Sequence, residues 1–302
     1  MITKLLEFHC KHRLAVVQFT TVAHDTLQYI SGGRAMKDGL LKAREISEAG
    51  SVNHLLVFNS ADIPVFLMDG DILVGAKQNR VVNTSMLLAP HGKSTIPVSC
   101  VEGGRWRSVS PLFSTSDYTA PAALRSSKAR QVSKNLENER GHFSDQGAIW
   151  DHVADFHALH SVSSPTASLS DIYEQRRMDH DVFLASFIPA GNANGCAFFV
   201  DDYLASVDVF NRRDVYLEYF PKLLRGIGLE VAQLDANDKA VTRAEAEYRT
   251  LDFFDTFETI EKKTFRGVSL GVERRFDNEE RTGFGLYLDE QLVHLTALRV
   301  AK

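Results

Sequence analysis

The sequence predicts an α+β protein: an N-terminal β-rich, sandwich-like domain with a C-terminal α/β portion packed against it. Short apolar runs separated by turn-forming residues fill residues 1–118, as they do in β-sandwiches. Residues 119–145 are basic and poor in apolar side chains, whereas strand and helix patterns alternate over residues 146–302. We therefore expect a β-rich domain, a helical connector and an α/β domain with these three sets of bounds.

The strands predicted for the first domain are short and closely spaced. Residues 14–19, 55–58 and 65–68 are apolar and rich in β-branched or aromatic side chains, and residues 94–100 form another strand candidate. Turn formers at 59–64 join the second and third of these runs. This spacing predicts that the two runs form an antiparallel hairpin.

Helices in the first two thirds of the chain are predicted from charge and from capping patterns. Residues 34–40 predict one short helix, and the basic residues of 120–140 predict a helix whose charged face is solvated. Ser168, with Asp171 three residues later, is a capping signal for a helix that reaches about residue 187.

Hairpin signals frame the last third of the chain. The acidic pairs at 201–202 and 289–290 each separate two apolar runs, which predicts a tight two-residue turn at both places. Thr242 and Glu245 form a capping box, which predicts a helix through about residue 260. Strands and helices together give this part its expected α/β character.

Charge and composition exclude several classes of protein. Asp plus Glu number 39 and Lys plus Arg 34, so the net charge is −5 and nucleic acid is not an expected partner. No apolar run approaches the roughly 18 residues that a membrane helix needs, so no membrane association is expected. The three cysteines, Cys10, Cys100 and Cys196, are widely spaced, which indicates reduced thiols in a cytoplasmic protein.

The residues with the most chemical potential lie in two polar segments, 69–80 and 99–106. The first segment ends in two cations and two amides at 77–80, and such side chains bind phosphates, carboxylates or sugar hydroxyls. Antiparallel pairing is expected to bring both segments to one end of a sheet. The predicted ligand-binding residues are Gly75, Lys77, Gln78, Asn79, Arg80, Asn83, Arg105 and Trp106. Glu102 or Asp71 is the predicted general base if chemistry occurs.

These two segments carry a family resemblance. The strings DGDILVGAKQNR, at 69–80, and IPVSCVEGGRW, at 96–106, resemble the paired motifs of proteins associated with ARG, the ADP-ribosylglycohydrolases, and with the rhodanese-phosphatase superfamily. Weaker similarity extends upstream through 51–59 and downstream to PKLL at 221–224, so the resemblance covers most of the chain. It implies a nucleotide or NAD-derived context and assigns no catalytic mechanism.

Other catalytic and metal-binding interpretations are less well supported. Cys100 has no neighbouring base or helix N-terminus that would form its thiolate, so we expect it to pack inward. His157 and His160 share one predicted helix but lack further ligands, and Asp69 with Asp71 are typical acids of a turn. No metal site is therefore predicted, and the sequence names no cofactor.

Two functions remain open from the sequence. The first is the binding or processing of a small anionic, nucleotide-like ligand derived from NAD or ADP-ribose. The second is a non-catalytic protein-interaction module whose polar segments are structural, with Arg80 and Glu102 as an ion pair. A deep pocket beside 75–80 and 99–106 would favour the ligand, and a flat apolar patch would favour the module. The sequence decides neither whether the protein is an enzyme nor its oligomeric state.

Overall fold

A computed structural model describes residues 2–22, 24–231 and 241–300, which form seventeen strands and seven helices. The largest sheet has eight strands, and neighbouring strands in it are antiparallel. In spatial order these strands are β1 (Ile2–Lys11), β2 (Leu14–Thr21), β12 (Gly195–Val200), β13 (Tyr203–Phe210), β17 (Gln291–Arg299), β16 (Arg281–Leu288), β15 (Val272–Asp277) and β14 (Lys263–Arg266).

Two smaller sheets and the helices complete the fold. A closed barrel contains, in order, β10 (Lys93–Cys100), β5 (His54–Asn59), β4 (Leu41–Glu45), β11 (Phe113–Thr119), β7 (Asp71–Gly75) and β8 (Arg80–Val82). A three-stranded sheet contains β3 (Ile30–Ser31), β6 (Val65–Leu67) and β9 (Met86–Leu88). The helices are α1 (Gly32–Lys37), α2 (Ala122–Glu137), α3 (Gln146–His160), α4 (Leu169–Gln175), α5 (Arg177–Leu184), α6 (Arg213–Gly228) and α7 (Arg243–Phe257).

The large sheet is buried on both faces, because successive side chains of a strand point to opposite sides. In β2, Val16 belongs to the apolar core that also contains Phe220 of α6. Its neighbour Val17 belongs to the core on the other face, where Phe19 meets Phe254 of α7 edge to face at 5.3 Å. This double burial explains why the strand signal at the start of the chain is an unbroken apolar run.

The β-rich character of the N-terminal part is confirmed, but its sheet is a closed barrel and not a sandwich. β4 pairs with β5 and with β11, and β11 pairs with β7, so the sheet closes upon itself. Leu55, Val57, Leu73 and Val98 form one core with other barrel residues, and closure removes exposed sheet edges. β1 and β2 lie outside the barrel and extend the large sheet beside β12.

The predicted hairpin of residues 55–58 and 65–68 is wrong, because the two strands belong to different sheets. β5 pairs with β4 and β10, whereas β6 pairs with β3 and β9. Asn59 ends β5, and its side-chain amide donates hydrogen bonds to the carbonyls of Ile63 at 3.3 Å and Ala89 at 2.9 Å. This amide holds the chain in a turn that leaves the barrel, so the strands it joins do not meet.

Capping and tight-turn signals are confirmed in the last third of the chain. Thr242 caps α7, and its hydroxyl accepts a hydrogen bond from the Glu245 N–H at 3.3 Å. The turns at 201–202 and 289–290 join β12 to β13 and β16 to β17. The helix predicted from Ser168 is instead divided into α4 and α5, and the Ser168 side chain makes no capping bond.

The basic helix α2 is buried along one face, which corrects the expectation that its charges are solvated. Arg125 and Lys128 both donate hydrogen bonds to Asp69, and Arg125 also reaches Asp208 in β13 at 2.7 Å. Buried charges are tolerated when they are paired and hydrogen bonded. The helix therefore neutralises the buried acids Asp69 and Asp208. The sequence prediction missed this buried face because it looked for apolar side chains, and the buried side chains of α2 include charged ones.

Candidate functional site

The two polar segments are neighbours, as the sequence predicts. β8 runs antiparallel to β10, and Arg80 lies opposite Cys100 in their register. Each polar segment continues directly from one of these strands. The pairing therefore brings residues 77–80 and 100–106 to the same end of the barrel.

Glu102 is the centre of a hydrogen-bonded network at this end of the barrel. Arg105 binds its carboxylate in bidentate fashion, with Nε 2.8 Å from Oε1 and Nη2 2.6 Å from Oε2. The Asn79 N–H donates to Oε2 at 3.0 Å, and the Thr166 hydroxyl donates to Oε1 at 2.9 Å. Burial alone raises the pKa of Glu102, but these hydrogen bonds outweigh it and hold the pKa below its ordinary value. Both oxygens are occupied, so this carboxylate is poorly placed to take a proton from a substrate.

The remaining polar groups of Asn79 and Arg105 are also engaged within the protein. Asn79 accepts from the Gly75 N–H at 3.0 Å and donates to Ser170 Oγ at 3.1 Å. Arg105 donates to the Ala76 carbonyl at 2.6 Å. Gly75 has a φ of +123°, and a Cβ there would lie 2.5 Å from Ser110 Oγ, so a glycine is required for close packing. We call Asn79, Glu102, Arg105 and Thr166 the Glu102 network.

Arg80 is fully buried and lies beside the Glu102 network without bonding to Glu102. Its guanidinium donates to Gln78 Oε1 at 3.2 Å and approaches Glu45 Oε1 at 3.5 Å. The Trp106 ring centre is 5.5 Å from it, within cation–π range. Burial lowers the pKa of Arg80. The expected Arg80–Glu102 ion pair is therefore replaced by two pairs, one with Glu45 and one between Glu102 and Arg105.

Asn83, which follows β8, and Cys100, the last residue of β10, are both engaged within the protein. Asn83 donates to the His142 carbonyl at 3.1 Å and accepts from the Ser99 hydroxyl at 2.9 Å. Cys100 is buried as expected, and burial raises the pKa of its thiol to about 11. At neutral pH the thiol is therefore protonated, which disfavours a nucleophilic role.

Asp69 and Asp71 point to different elements. Asp69 accepts from Lys128 and Arg125 of α2, whereas Asp71 accepts from α6. Gly70 between them has a φ of +87°, and a Cβ there would lie 2.8 Å from Arg125 Cδ. Since each acid is already paired with cations, the two do not form a common cation site.

Asp71 lies behind Tyr219 and Lys222, two residues that line an open cleft. Its Oδ2 accepts from the Tyr219 hydroxyl at 2.7 Å and from the Met68 N–H at 2.9 Å, and its Oδ1 accepts from Lys222. Lys222 also donates to Thr115 Oγ1 at 3.3 Å. The ammonium also lies 4.9 Å from the centre of the Tyr219 ring. It has three N–H donors, and the described residues provide hydrogen-bond acceptors for two of them.

This cleft, the Lys222 cleft, has a volume of about 760 Å³ and lies between α1, β11 and α6. Its polar and charged lining residues are Ser31, Arg34, Lys37, Asp38, Thr115, Ser116, Asp117, Glu218, Tyr219, Lys222 and Arg225. Sequence reasoning missed all of these as site residues. The one signal available was the PKLL string at 221–224, which contains Lys222.

Two of the predicted ligand residues remain accessible at the barrel end. Trp106 is 44% exposed, and Lys77 lies over its ring at 5.7 Å. Beside Lys77 is an open cleft of about 510 Å³, the barrel cleft, lined also by Arg44, Glu45 and Ser108. Gln78, Asn79, Arg80, Asn83 and Arg105 are buried behind it.

A chain of Ser85, His294 and Asp208 lies in the interior and resembles a catalytic triad in its residue types. Ser85 Oγ is 3.0 Å from His294 Nδ1, and His294 Nε2 is 3.5 Å from Asp208 Oδ1. All three side chains are fully buried, so a substrate has no route to them. We regard this chain as part of the buried polar core.

Two further findings concern groups that could hold a metal ion and helices that could span a membrane. Among the residues that the structure describes, no three His, Cys, Asp or Glu side chains are grouped to hold a metal ion. Within the same ranges, the helices include none that is both long and apolar enough to cross a bilayer.

Comparison with family models gives a match over most of the chain. A family model described as ARPP-1, the ARG and Rhodanese-Phosphatase-superfamily-associated Protein domain, matches residues 3–298. No curated protein and no solved structure matches the chain.

Proposed function

The chain belongs to the family of ARG and rhodanese-phosphatase-superfamily-associated proteins, and from the geometry we propose that it binds a small anionic, nucleotide-like ligand in the Lys222 cleft. The observation that carries the proposal is the Lys222 ammonium, which lines the cleft and makes two hydrogen bonds to described residues, although it has three N–H donors. Its one other close partner among those residues is the Tyr219 ring, whose centre is 4.9 Å away. A cation fixed on a buried carboxylate, with a donor left over, is suited to bind an anionic oxygen.

The position of Lys222 supports this role. Its side chain is only 12% exposed, so water competes weakly for its charge. Asp71 and Thr115 hold the ammonium in place before a ligand arrives, which reduces the entropy lost on binding. A phosphate or carboxylate oxygen would accept the remaining hydrogen bond.

The rest of the Lys222 cleft suits a ligand that carries both charge and hydroxyl groups. Ser31, Thr115 and Ser116 line the cleft, and their hydroxyls already donate to Glu218 and to the carbonyls of Ser116 and Tyr118, so a ligand would meet them as acceptors. Lys37 adds a cation at the wall. Glu218 already accepts from Ser31, and its carboxylate could accept a further bond from a ribose hydroxyl. A volume of about 760 Å³ lies within the usual range for small-molecule sites. This mixture favours a nucleotide-like compound over a bare anion.

The association of the family with ARG leads us to include NAD-derived and ADP-ribose-derived compounds in the ligand class. Binding, without a specified reaction, is what the contacts support. Asp71 accepts three hydrogen bonds from protein donors and is almost completely buried, so it positions Lys222 and is not placed as a general base.

A second candidate, a non-catalytic interaction module, is favoured by a different observation. The Glu102 network is satisfied internally, as a structural block would be. Exposed apolar side chains occur in the loops that connect the barrel strands, at Ile46, Val52, Trp106, Val109 and Leu112. Apolar groups exposed together are typical of contact surfaces.

A thermal-shift titration tests the ligand proposal. ADP-ribose, AMP and inorganic phosphate are added to the parent protein, to Lys222→Gln and to Lys134→Gln, a control that removes an exposed lysine of α2. A ligand at a hundred times its Kd stabilises the native state by about 2.7 kcal/mol. We expect at least one nucleotide to raise the melting temperature of the parent and of Lys134→Gln.

In Lys222→Gln the affinity should fall about tenfold to a hundredfold, because a charged hydrogen bond contributes about 1.5–3 kcal/mol. Equal affinities for the two variants would place the ligand elsewhere. No stabilisation by any of the three compounds would contradict the proposed ligand class and leave the interaction module as the better account.

A further inference from the structure

Cations without ionic partners are gathered on one exposed face of the barrel. Lys42 and Arg44 project from β4, Lys93 from β10, and Lys77 follows β7. None of the four makes an ion pair with any described residue. We call these four residues together with Phe58 the basic barrel face.

Elsewhere on the surface, exposed arginines commonly have acidic partners. Arg177 bridges Asp117 at 2.9 Å and Glu174 at 2.8 Å, and Arg213 binds Asp25 at 2.5 Å. On the basic barrel face, the nearby acids are Glu45, which is already paired with Arg80, and Glu48. The face therefore has positive charge that the protein itself does not neutralise, although the whole chain carries −5.

The strand register arranges these cations around an aromatic ring. Lys42 lies opposite Phe58 on β5, and Phe58 lies opposite Lys93. Neighbouring strands are about 4.8 Å apart, so the row spans roughly 10 Å, and Arg44 lies about 7 Å further along β4. Arg44 and Lys93 are 5.4 Å and 5.7 Å from the centre of the Phe58 ring.

The row continues into the barrel cleft and ends at a second aromatic ring. Arg44 and Lys77 both line this cleft of about 510 Å³. Lys77 in turn lies over Trp106, whose indole is 44% exposed. Cations and aromatic rings thus follow one another across the face.

We propose that the basic barrel face binds single-stranded nucleic acid, with phosphates on Lys42, Arg44, Lys77 and Lys93 and bases against Phe58 and Trp106. Single-strand-binding surfaces combine such a track of cations with aromatic side chains on which bases stack. A duplex keeps its bases stacked inside and would leave the rings unused. An acidic peptide would use the cations but gain nothing specific from two rings. The net charge of the whole chain, which argues against nucleic acid, does not describe the charge of this face.

Fluorescence anisotropy with a labelled deoxythymidine strand of about 12 nucleotides tests this inference, since such sites cover about 4–16 nucleotides. Four phosphate contacts predict that log K falls with log salt with a slope of about −2.8, because each contact on a single strand contributes about −0.7. The triple variant Lys42→Gln, Arg44→Gln and Lys93→Gln should reduce the slope to about −0.7 and weaken binding about tenfold or more at low salt.

Two controls separate a specific surface from general charge. Replacing three other exposed cations by Gln, at Lys134, Arg140 and Arg266, changes the net charge equally and should leave affinity and slope unchanged. Trp106→Ala should weaken binding about fivefold or more without changing the slope, because it removes stacking and no charge.

Three results would overturn the inference. One is the absence of binding at low salt, and another is an equal loss in both triple variants. The third is a combination of two observations: Trp106→Ala keeps the affinity of the parent, and oligoglutamate of matched charge displaces the labelled strand from the protein. That combination would assign the basic barrel face to an acidic protein partner. Lys222→Gln should have no effect, so this test is independent of the ligand proposed above.

Discussion

Glu102 and Asp71 are the two carboxylates that the sequence predicts as bases, and the structure surrounds them in opposite ways. Glu102 accepts four hydrogen bonds, and all of its donors are enclosed in the Glu102 network. Asp71 accepts three, and one of them comes from Lys222, which borders an open cleft. The first carboxylate completes a scaffold, whereas the second fixes a cation that still has a donor available.

This comparison shows why a cluster of polar residues in a sequence does not by itself locate a ligand. Residues 77–80 and 102–105 offer many donors and acceptors, and those of the Glu102 network are bound within the fold. Arg80 Nε is an exception, since it is a buried donor without a hydrogen-bond partner among the described residues. A ligand needs an unmatched group and space beside it. Both conditions hold at Lys222.

The largest expected effect is on stability in the Glu102 network. Arg105→Ala should lower the free energy of unfolding by about 3–5 kcal/mol, because it leaves the Glu102 carboxylate buried without its ionic partner. Arg107→Ala, at an exposed neighbour, should change it by less than about 0.5 kcal/mol. Urea denaturation of both variants measures the difference. If Arg105→Ala is no more destabilising than Arg107→Ala, the network is not a scaffold and the contrast with Asp71 fails.

A smaller effect is expected from neutralising Glu102 while keeping its shape. Glu102→Gln should cost about 1–3 kcal/mol near neutral pH, since it removes hydrogen bonds to a charged acceptor. The folded state lowers the pKa of Glu102, so the carboxylate stabilises the fold above the unfolded pKa of about 4.3. That contribution is lost as the pH falls through the folded pKa.

The stability difference between the parent and Glu102→Gln should therefore shrink as the pH is lowered from neutral into the acid range. Urea denaturation at a series of pH values gives this difference directly. A difference that grows on acidification would mean that the pKa is raised, which would bring Glu102 back as a candidate base.

The smallest effect is expected at Cys100. Burial raises its pKa to about 11, so iodoacetamide at neutral pH should label the exposed Cys10 in the native protein and Cys100 only after unfolding. Cys100→Ser should keep whatever ligand binding the parent shows. Rapid native labelling of Cys100, followed in peptide maps, would show that this end of the barrel is more open than its hydrogen bonds indicate.

Local signals in the sequence predicted local structure well, and pairing between distant strands poorly. The capping box at Thr242 and the turn at 201–202 are set by neighbouring residues, and both are confirmed. The hairpin across 59–64 failed because the side chain of Asn59 bonds to Ala89, a contact thirty residues away. Closure of the barrel depends in the same way on pairs such as Phe113 with Ala43.

For the candidate site, the sequence predicted that the two polar segments lie close together, but not which of their side chains are buried. The antiparallel pairing of Arg80 with Cys100 follows from two similar strands, so the meeting of the two segments was predictable. Burial of Arg80 was not, because it depends on Glu45 and Ser51 from other parts of the chain. Lys222 was missed for the same reason, since its partner Asp71 is far away in sequence.

The turn of Asp69, Gly70 and Asp71 has a mechanical consequence. One of its carboxylates is bound to α2 and the other to α6, so a single tight turn ties two helices to the barrel. Movement of α6 away from the cleft would have to break a buried ion pair or pull on a turn anchored from the opposite side. This double attachment predicts that Lys222 keeps its position when the proposed ligand binds, so that selectivity would depend on the shape of the ligand and little on rearrangement of the protein.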